Sequence, residues 1–142
     1  MLTRVVLDTS VVVAALRTRE GAGNAVLRLV ARHRLVMLAT PPLFCEYEDV
    51  LKRSEQQLAH GLTVPEVDLF LAELAALIEP VDLHFSWRPQ VHDPSDEMVL
   101  EAAINGRADA LVTYNVSDFA QAGERFRIPI LRPGELLKKV KK

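Results

Sequence analysis

Short, strand-length apolar runs recur along this chain and alternate with stretches of helical periodicity. Val5-Val6-Leu7 and residues 35–39, 108–113 and 128–131 are rich in apolar and β-branched residues and too brief to be buried helices. Between them, Thr40-Pro41-Pro42 is a helix start, with Thr40 as N-cap and proline in the first turn. Leu43, Phe44, Tyr47, Val50 and Leu51 then form one apolar stripe. Thr63-Val64-Pro65-Glu66 reads as a capping box. It opens a helix that carries Val67, Phe70, Leu71, Leu74, Leu77 and Ile78 at helical spacing and stops at Pro80. Asp93-Pro94-Ser95-Asp96 opens another, which buries Val99, Leu100 and Ala103 and ends at Gly106. The pattern also predicts helices over 11–16 and 24–34, a short strand over 81–83, and a last helix after Pro133-Gly134 with a lysine-rich end. Such alternation predicts an α/β fold: a single three-layer α/β/α domain over residues 1–142, with a mainly parallel central sheet.

Bulk properties narrow the function classes. Hydrophobic residues make up 49% and charged residues 25%, the balance of an ordinary globule. No apolar stretch is long enough to span a bilayer, and the first apolar run is broken at once by Asp8. The expectation is a cytoplasmic protein with no membrane partner. The lone Cys45 has no internal partner, which fits a reducing compartment. His33, His60, His84 and His92 lack zinc-ligand spacing. A net charge of −2 argues against a surface built to coat nucleic acid, although local arginines such as Arg17, Arg19, Arg28 and Arg32 can still meet phosphates.

The acids stand where elements begin or end. Asp8 closes the first strand, Asp93 and Asp96 open a helix, and Asp118 follows the strand over 108–113. In an open α/β sheet the carboxyl ends of the strands converge on one crevice. Acids gathered there repel one another unless a cation neutralises them, and hard cations such as Mg²⁺ or Mn²⁺ prefer carboxylate oxygens. Each acid also has a simpler explanation. Asp8 and Asp93 are good N-caps, Asp96 suits a first helical turn, and Asp118 suits a turn. In the helix after Thr40, periodicity leaves Glu46 and Glu48 on opposite edges of the apolar stripe and does not choose between them. Asp49 points further away.

Taken together, these segments resemble the motifs of the PIN-domain family, the nucleases found in VapC-type toxins of toxin–antitoxin pairs. The matching segments are Val5-Val6-Leu7-Asp8-Thr9-Ser10, Glu46-Tyr47-Glu48-Asp49-Val50-Leu51, Asp93-Pro94-Ser95-Asp96-Glu97 with Ala102-Ala103, Ala110 through Phe119, and Ile130-Leu131-Arg132-Pro133-Gly134-Glu135-Leu136-Leu137. They run in order along nearly the whole chain. The resemblance implies a metal-dependent endoribonuclease that hydrolyses single-stranded RNA with Mg²⁺ or Mn²⁺. By position it implies Asp8, Glu46, Asp96 and Asp118 as catalytic metal ligands, with Asp93 assisting. It selects Glu46 over Glu48. Ser10, Thr113 and Asn115 would surround the ligands, Thr113 orienting a carboxylate through a hydrogen bond. Many relatives carry an acid where this chain has Asn115, which leaves open whether Asn115 or Asp118 faces the metal. The resemblance also implies a small antitoxin partner and a homodimer, for which the helices from Pro41 and Val64 offer apolar surface.

Two other readings compete. The fold can serve as a binding module whose acids only cap helices. A phosphotransfer domain with Asp8 as nucleophile fits less well, because Thr9 and Ser10, not a second acid, follow Asp8, and no lysine occurs before Lys52.

Overall fold

The computed structural model describes residues 2–86 and 88–140. Its centre is a five-stranded sheet in the order β3-β2-β1-β4-β5, formed by β1 (Thr3–Leu7), β2 (Leu35–Ala39), β3 (Glu79–Pro80), β4 (Ala110–Val112) and β5 (Ile130–Leu131). Every pairing is parallel. Parallel strands need crossover connections, and helices supply them: α1 (Thr9–Arg17), α2 (Ala22–Ala31), α3 (Pro41–Leu51), α4 (Ser54–His60), α5 (Val64–Leu77), α6 (Pro94–Asn105), α7 (Val116–Phe126) and α8 (Pro133–Val140). The result is the three-layer α/β/α architecture that the alternation predicts.

β1 lies mid-sheet, covered on both faces, so its sequence is continuous rather than alternating. Val5, Val6 and Leu7 are all fully buried. Each such side chain contributes about 1.5–3 kcal/mol of transfer free energy. The caps form as read: the Thr40 hydroxyl accepts from Leu43 N–H, and Thr63 and Glu66 make both halves of a capping box.

The structure corrects several boundaries. The strand expected over 81–83 lies two residues earlier, at Glu79–Pro80, where it meets Leu38 and Ala39. Pro80 fits because β3 is an edge strand whose missing donor costs nothing on the open side. The helix expected over 24–34 runs from Ala22 to Ala31. Gly23 sits inside the helix because a Cβ there would lie 3.0 Å from the Val11 carbonyl oxygen, so its absence lets α2 approach α1. The segment after Asn115 is a full helix, α7, whose buried Phe119, Ala122 and Gly123 keep helical spacing.

Gly123 also sets how closely α7 packs on β5. A Cβ there would meet Ile130 Cγ1 at 2.6 Å and the Ile128 carbonyl oxygen at 2.9 Å. Gly123→Ala is therefore expected to destabilise the fold by about 1–3 kcal/mol through overpacking. Gly134→Ala, with open space around the new Cβ, should be neutral or stabilising. Urea denaturation of both variants checks the contrast, and equal stabilities would refute the packing account.

Candidate metal centre

β1 connects onward to β2 on one side, while β4 pairs with it on the other. This reversal makes the carboxyl ends of β1 and β4 the switch point of the sheet, the place where ligands bind in open α/β folds. Asp8 and Thr113 are the first residues beyond those two ends. The Asp8 N–H donates to the Val112 carbonyl at 2.8 Å, which extends the ladder by one rung and fixes the backbone under the site.

Asp8 is the N-cap of α1, yet its carboxylate caps nothing. Instead Oδ2 accepts from two hydroxyls, Ser10 Oγ and Thr113 Oγ1, each at 2.7 Å. Among the described residues, no protein donor reaches the other oxygen. Both hydroxyls are themselves positioned: Asn115 N–H donates to Thr113 Oγ1 at 2.9 Å, and Tyr114 N–H donates to Ser10 Oγ at 3.4 Å. Asp8 is 5% exposed and Thr113 fully buried, so the carboxylate is largely withdrawn from water. Behind it, the buried Tyr47 hydroxyl donates to the Leu7 carbonyl at 2.5 Å. Burial, and then the nearby Asp8 charge, push the Tyr47 phenol well above its ordinary pKa, so it remains a donor.

Asp93 and Asp96 divide the roles open to them. Asp93 does cap: its Oδ1 accepts from Ser95 N–H at 2.8 Å. Asp96, in the first turn of α6, is half-buried among other acids. Burial first, then the charges of Asp8, Asp93, Asp118 and Glu97, raise its carboxyl to about 7. Asp118, exposed in the first turn of α7, is thus near enough to act on Asp96. Asn115 is the N-cap of α7, and its backbone carbonyl accepts from Asp118 N–H at 3.0 Å.

On α3, ion pairs distinguish the acids that periodicity leaves equivalent. Glu48 pairs with Lys52 at 2.7 Å and Asp49 with Arg53 at 2.8 Å, both along the helix surface. Glu46 is half-buried, and Ser95 Oγ donates to its Oε1 at 3.3 Å, which links it to the start of α6. Sequence reasoning overlooked two supports. Tyr47 reads as one more apolar stripe residue, and Ser95 as a helix-start filler. Their polar atoms were the available signal, since a buried hydroxyl must find a partner.

Among the described residues, no three Asp, Glu, His or Cys side chains converge closely enough to hold an ion in this conformation. The donor chemistry nevertheless suits a hard divalent cation. Every candidate ligand is a carboxylate oxygen, Asp8, Asp93, Asp96 and Asp118 share one electrostatic neighbourhood, and among the described residues one Asp8 oxygen has no protein donor.

The chain belongs to the PIN-domain family: the family model for the PIN domain matches residues 4–117, which hold Asp8, Glu46, Asp93 and Asp96 and end one residue before Asp118. The solved structure of VapBC2 from Rickettsia felis, bound to a DNA fragment from its promoter, is similar in fold. It matches at 16% identity and a TM-score of 0.58, over 92% of this chain and 98% of the matched chain. Curated proteins give no match. Among the described residues, no helix is long and apolar enough to cross a membrane.

The raised Asp96 carboxyl carries a stability consequence. Its folded pKa of about 7 lies above the unfolded value of 3.8, so between those pH values the native state binds more protons. Stability is therefore lost as pH rises from about 4 to about 7. Asp96→Asn should raise the melting temperature of the metal-free protein at pH 8 and change it little at pH 4. Partial exposure screens the repulsion, so the gain at pH 8 is on the order of 1 kcal/mol, or a few degrees. Differential scanning calorimetry at the two pH values checks it, and an equal shift at both would show that charge is not the cause.

Proposed function

We propose that this chain is a metal-dependent endoribonuclease that hydrolyses phosphodiester bonds in single-stranded RNA, as the toxin of a toxin–antitoxin pair. The observation that carries the reading is Asp8. A residue in position to cap a helix holds its carboxylate away from the cap, fixes one oxygen with two hydroxyls, and leaves the other without a protein donor. A structural cap has no need of that arrangement.

Asp8, Asp96 and Asp118 would hold Mg²⁺ or Mn²⁺, with Glu46 completing the site and Asp93 offering the oxygen that does not cap. Bound there, the cation supplies counter-charge for the acids and the polarisation that makes water a nucleophile toward a phosphodiester. The chain's own groups orient that site. Ser10 and Thr113 set the direction of the Asp8 carboxylate, Asn115 N–H fixes the Thr113 hydroxyl, and Ser95 ties Glu46 to the helix that bears Asp96. Such orienting bonds typically contribute 10- to 100-fold in metal affinity or activity.

The toxin assignment rests on the VapC-like motifs and on the fold shared with VapBC2, an assembly described on promoter DNA. A small antitoxin is the corresponding partner. Leu58, Val64 and Leu69 expose apolar surface on α4 and α5, which suits a homodimer contact. One observation favours a second reading, a PIN-fold binding module: Asp93 does cap its helix.

With Mn²⁺ or Mg²⁺, the purified protein should cleave single-stranded RNA, Asp8→Asn should lose at least about 100-fold, and Thr113→Val about 10- to 100-fold. The same ions should raise the melting temperature of the wild type, since binding to the native state stabilises it. Equal cleavage by wild type and Asp8→Asn would mark a contaminant. Absence of both cleavage and a metal-dependent melting shift would leave the binding module.

A further inference from the structure

A second feature borders the acid cluster. Before α6, residues 84–86 and 88–91 lie along that helix in antiparallel order, and three side chains one turn apart on α6 receive them. Asn105 Oδ1 accepts from His84 N–H and Phe85 N–H, both at 2.8 Å, and its Nδ2 donates to the Phe85 carbonyl at 3.0 Å. Glu101 takes Ser86 Oγ at 2.6 Å and a two-pronged Arg88 guanidinium at 2.8 and 2.7 Å. Glu97 Oε1 accepts from Gln90 N–H at 2.6 Å and Val91 N–H at 3.1 Å. Glu97 and Glu101 are 4% and 5% exposed, so these are buried, satisfied anchors rather than surface pairs. From the other side, the Arg125 guanidinium on α7 donates to the Gln90 carbonyl at 3.0 Å.

The pinned segment and the first turns of α7 enclose a groove of about 420 Å³, lined by Pro89, Gln90, His92, Ser117, Asp118 and Gln121 among others. Its volume falls in the range of small-ligand sites. Asp118 lines the groove and also acts on Asp96, so the groove borders the proposed cleavage centre. We propose that this groove is a nucleoside subsite, which receives the base and ribose next to the scissile phosphate and sets which base is preferred there.

The lining selects that occupant. Among the described residues no lysine or arginine lines the groove, and Asp118 at its edge repels an anion, so a phosphate is disfavoured. Gln90, Ser117, His92 and Gln121 offer both donors and acceptors, as the edge of a base requires. Primary amides are well suited to two-point recognition of base edges. The rings of Pro89 and His92 provide flat surface for a planar ligand, and unstacked bases in single strands are commonly read by stacking together with edge contacts. The buried anchors on α6 keep one wall fixed before the ligand arrives, which lowers the ordering cost of binding.

The proposal rests on the ribonuclease reading, and two measurements separate their fates. In the first, the wild type, Gln121→Ala and His92→Ala cleave a random-sequence single-stranded RNA pool with Mn²⁺, and the new ends are sequenced. The wild type should enrich one base at a fixed position beside the cut, and at least one variant should weaken that enrichment fivefold or more. Unchanged enrichment in both variants overturns the subsite while leaving the nuclease standing. In the second, the metal-free protein is titrated with adenosine, guanosine, cytidine and uridine and followed by its backbone amide NMR shifts. Shifts should concentrate at residues 89–92 and 117–122 and differ among the four nucleosides. Shifts confined to another surface, or none at millimolar nucleoside, overturn the subsite. A protein that shows the groove shifts but cuts no RNA would overturn the nuclease and keep a nucleoside-binding groove.

Discussion

A buried carboxylate is the constraint around which this structure is arranged. Withdrawing an aspartate from water costs several kcal/mol unless hydrogen bonds or charge replace the lost hydration. Here two hydroxyls replace it at one oxygen of Asp8, and they come from opposite sides: Ser10 from the helix that follows β1, and Thr113 from the end of β4. That geometry exists only because β1 and β4 are parallel neighbours in register, with Leu7 opposite Val112. The next residue on each strand then emerges at the same height. The Asp8 N–H bond to the Val112 carbonyl and the Tyr47 bond to the Leu7 carbonyl lock that level from above and behind.

The helix α6 serves two masters from different faces. Its first turn brings Asp96 toward the acids, and its apolar face buries Val99, Leu100, Ala102 and Ala103 in the core. A third face, formed by Glu97, Glu101 and Asn105, holds the incoming segment. Arg88 keeps the Glu101 carboxyl below its ordinary range, so that anchor stays ionised. Glu97 does both jobs at once: it accepts two backbone N–H groups, and its charge adds to the pressure on Asp96. Asp96 of the acid cluster and the anchors that hold the groove wall thus sit on the same twelve-residue helix.

Much of the fold was legible because it rests on local chemistry. The β-branched runs and the caps at Thr40, Thr63 and Asp93 announce themselves at short range, and all three caps form. The α7 helix was less visible because it starts at Asn115 without a side-chain cap, and its polar face leaves only Phe119, Ala122 and Gly123 buried. The third strand was misplaced because two residues of edge pairing leave almost no pattern. Within the site, the candidates could be listed from the sequence, but their division of labour could not. That Asp8 does not spend its carboxylate on a cap depends on Thr113, a residue 105 positions away in the chain. The α6 anchors were hidden for the same reason: two glutamates and an asparagine on a helix read as solvated until the returning segment covers them.

The same distances explain why such a site must be embedded in a stiff frame. Burial first, and then the neighbouring acids, lift Asp96 to about 7, and the acids push against one another. The opposing force comes from elsewhere. β1 lies between two covered faces with its three apolar residues fully buried, Tyr47 and Thr113 are likewise sealed, and the start of α6 is tied to α3 through Ser95 and Glu46. A looser scaffold would let the carboxylates separate until water screened them, and the affinity for any cation would fall with that separation. Rigidity in the sheet and self-repulsion at its edge are therefore two sides of one arrangement: the packing sustains a concentration of charge that a bound cation would relieve.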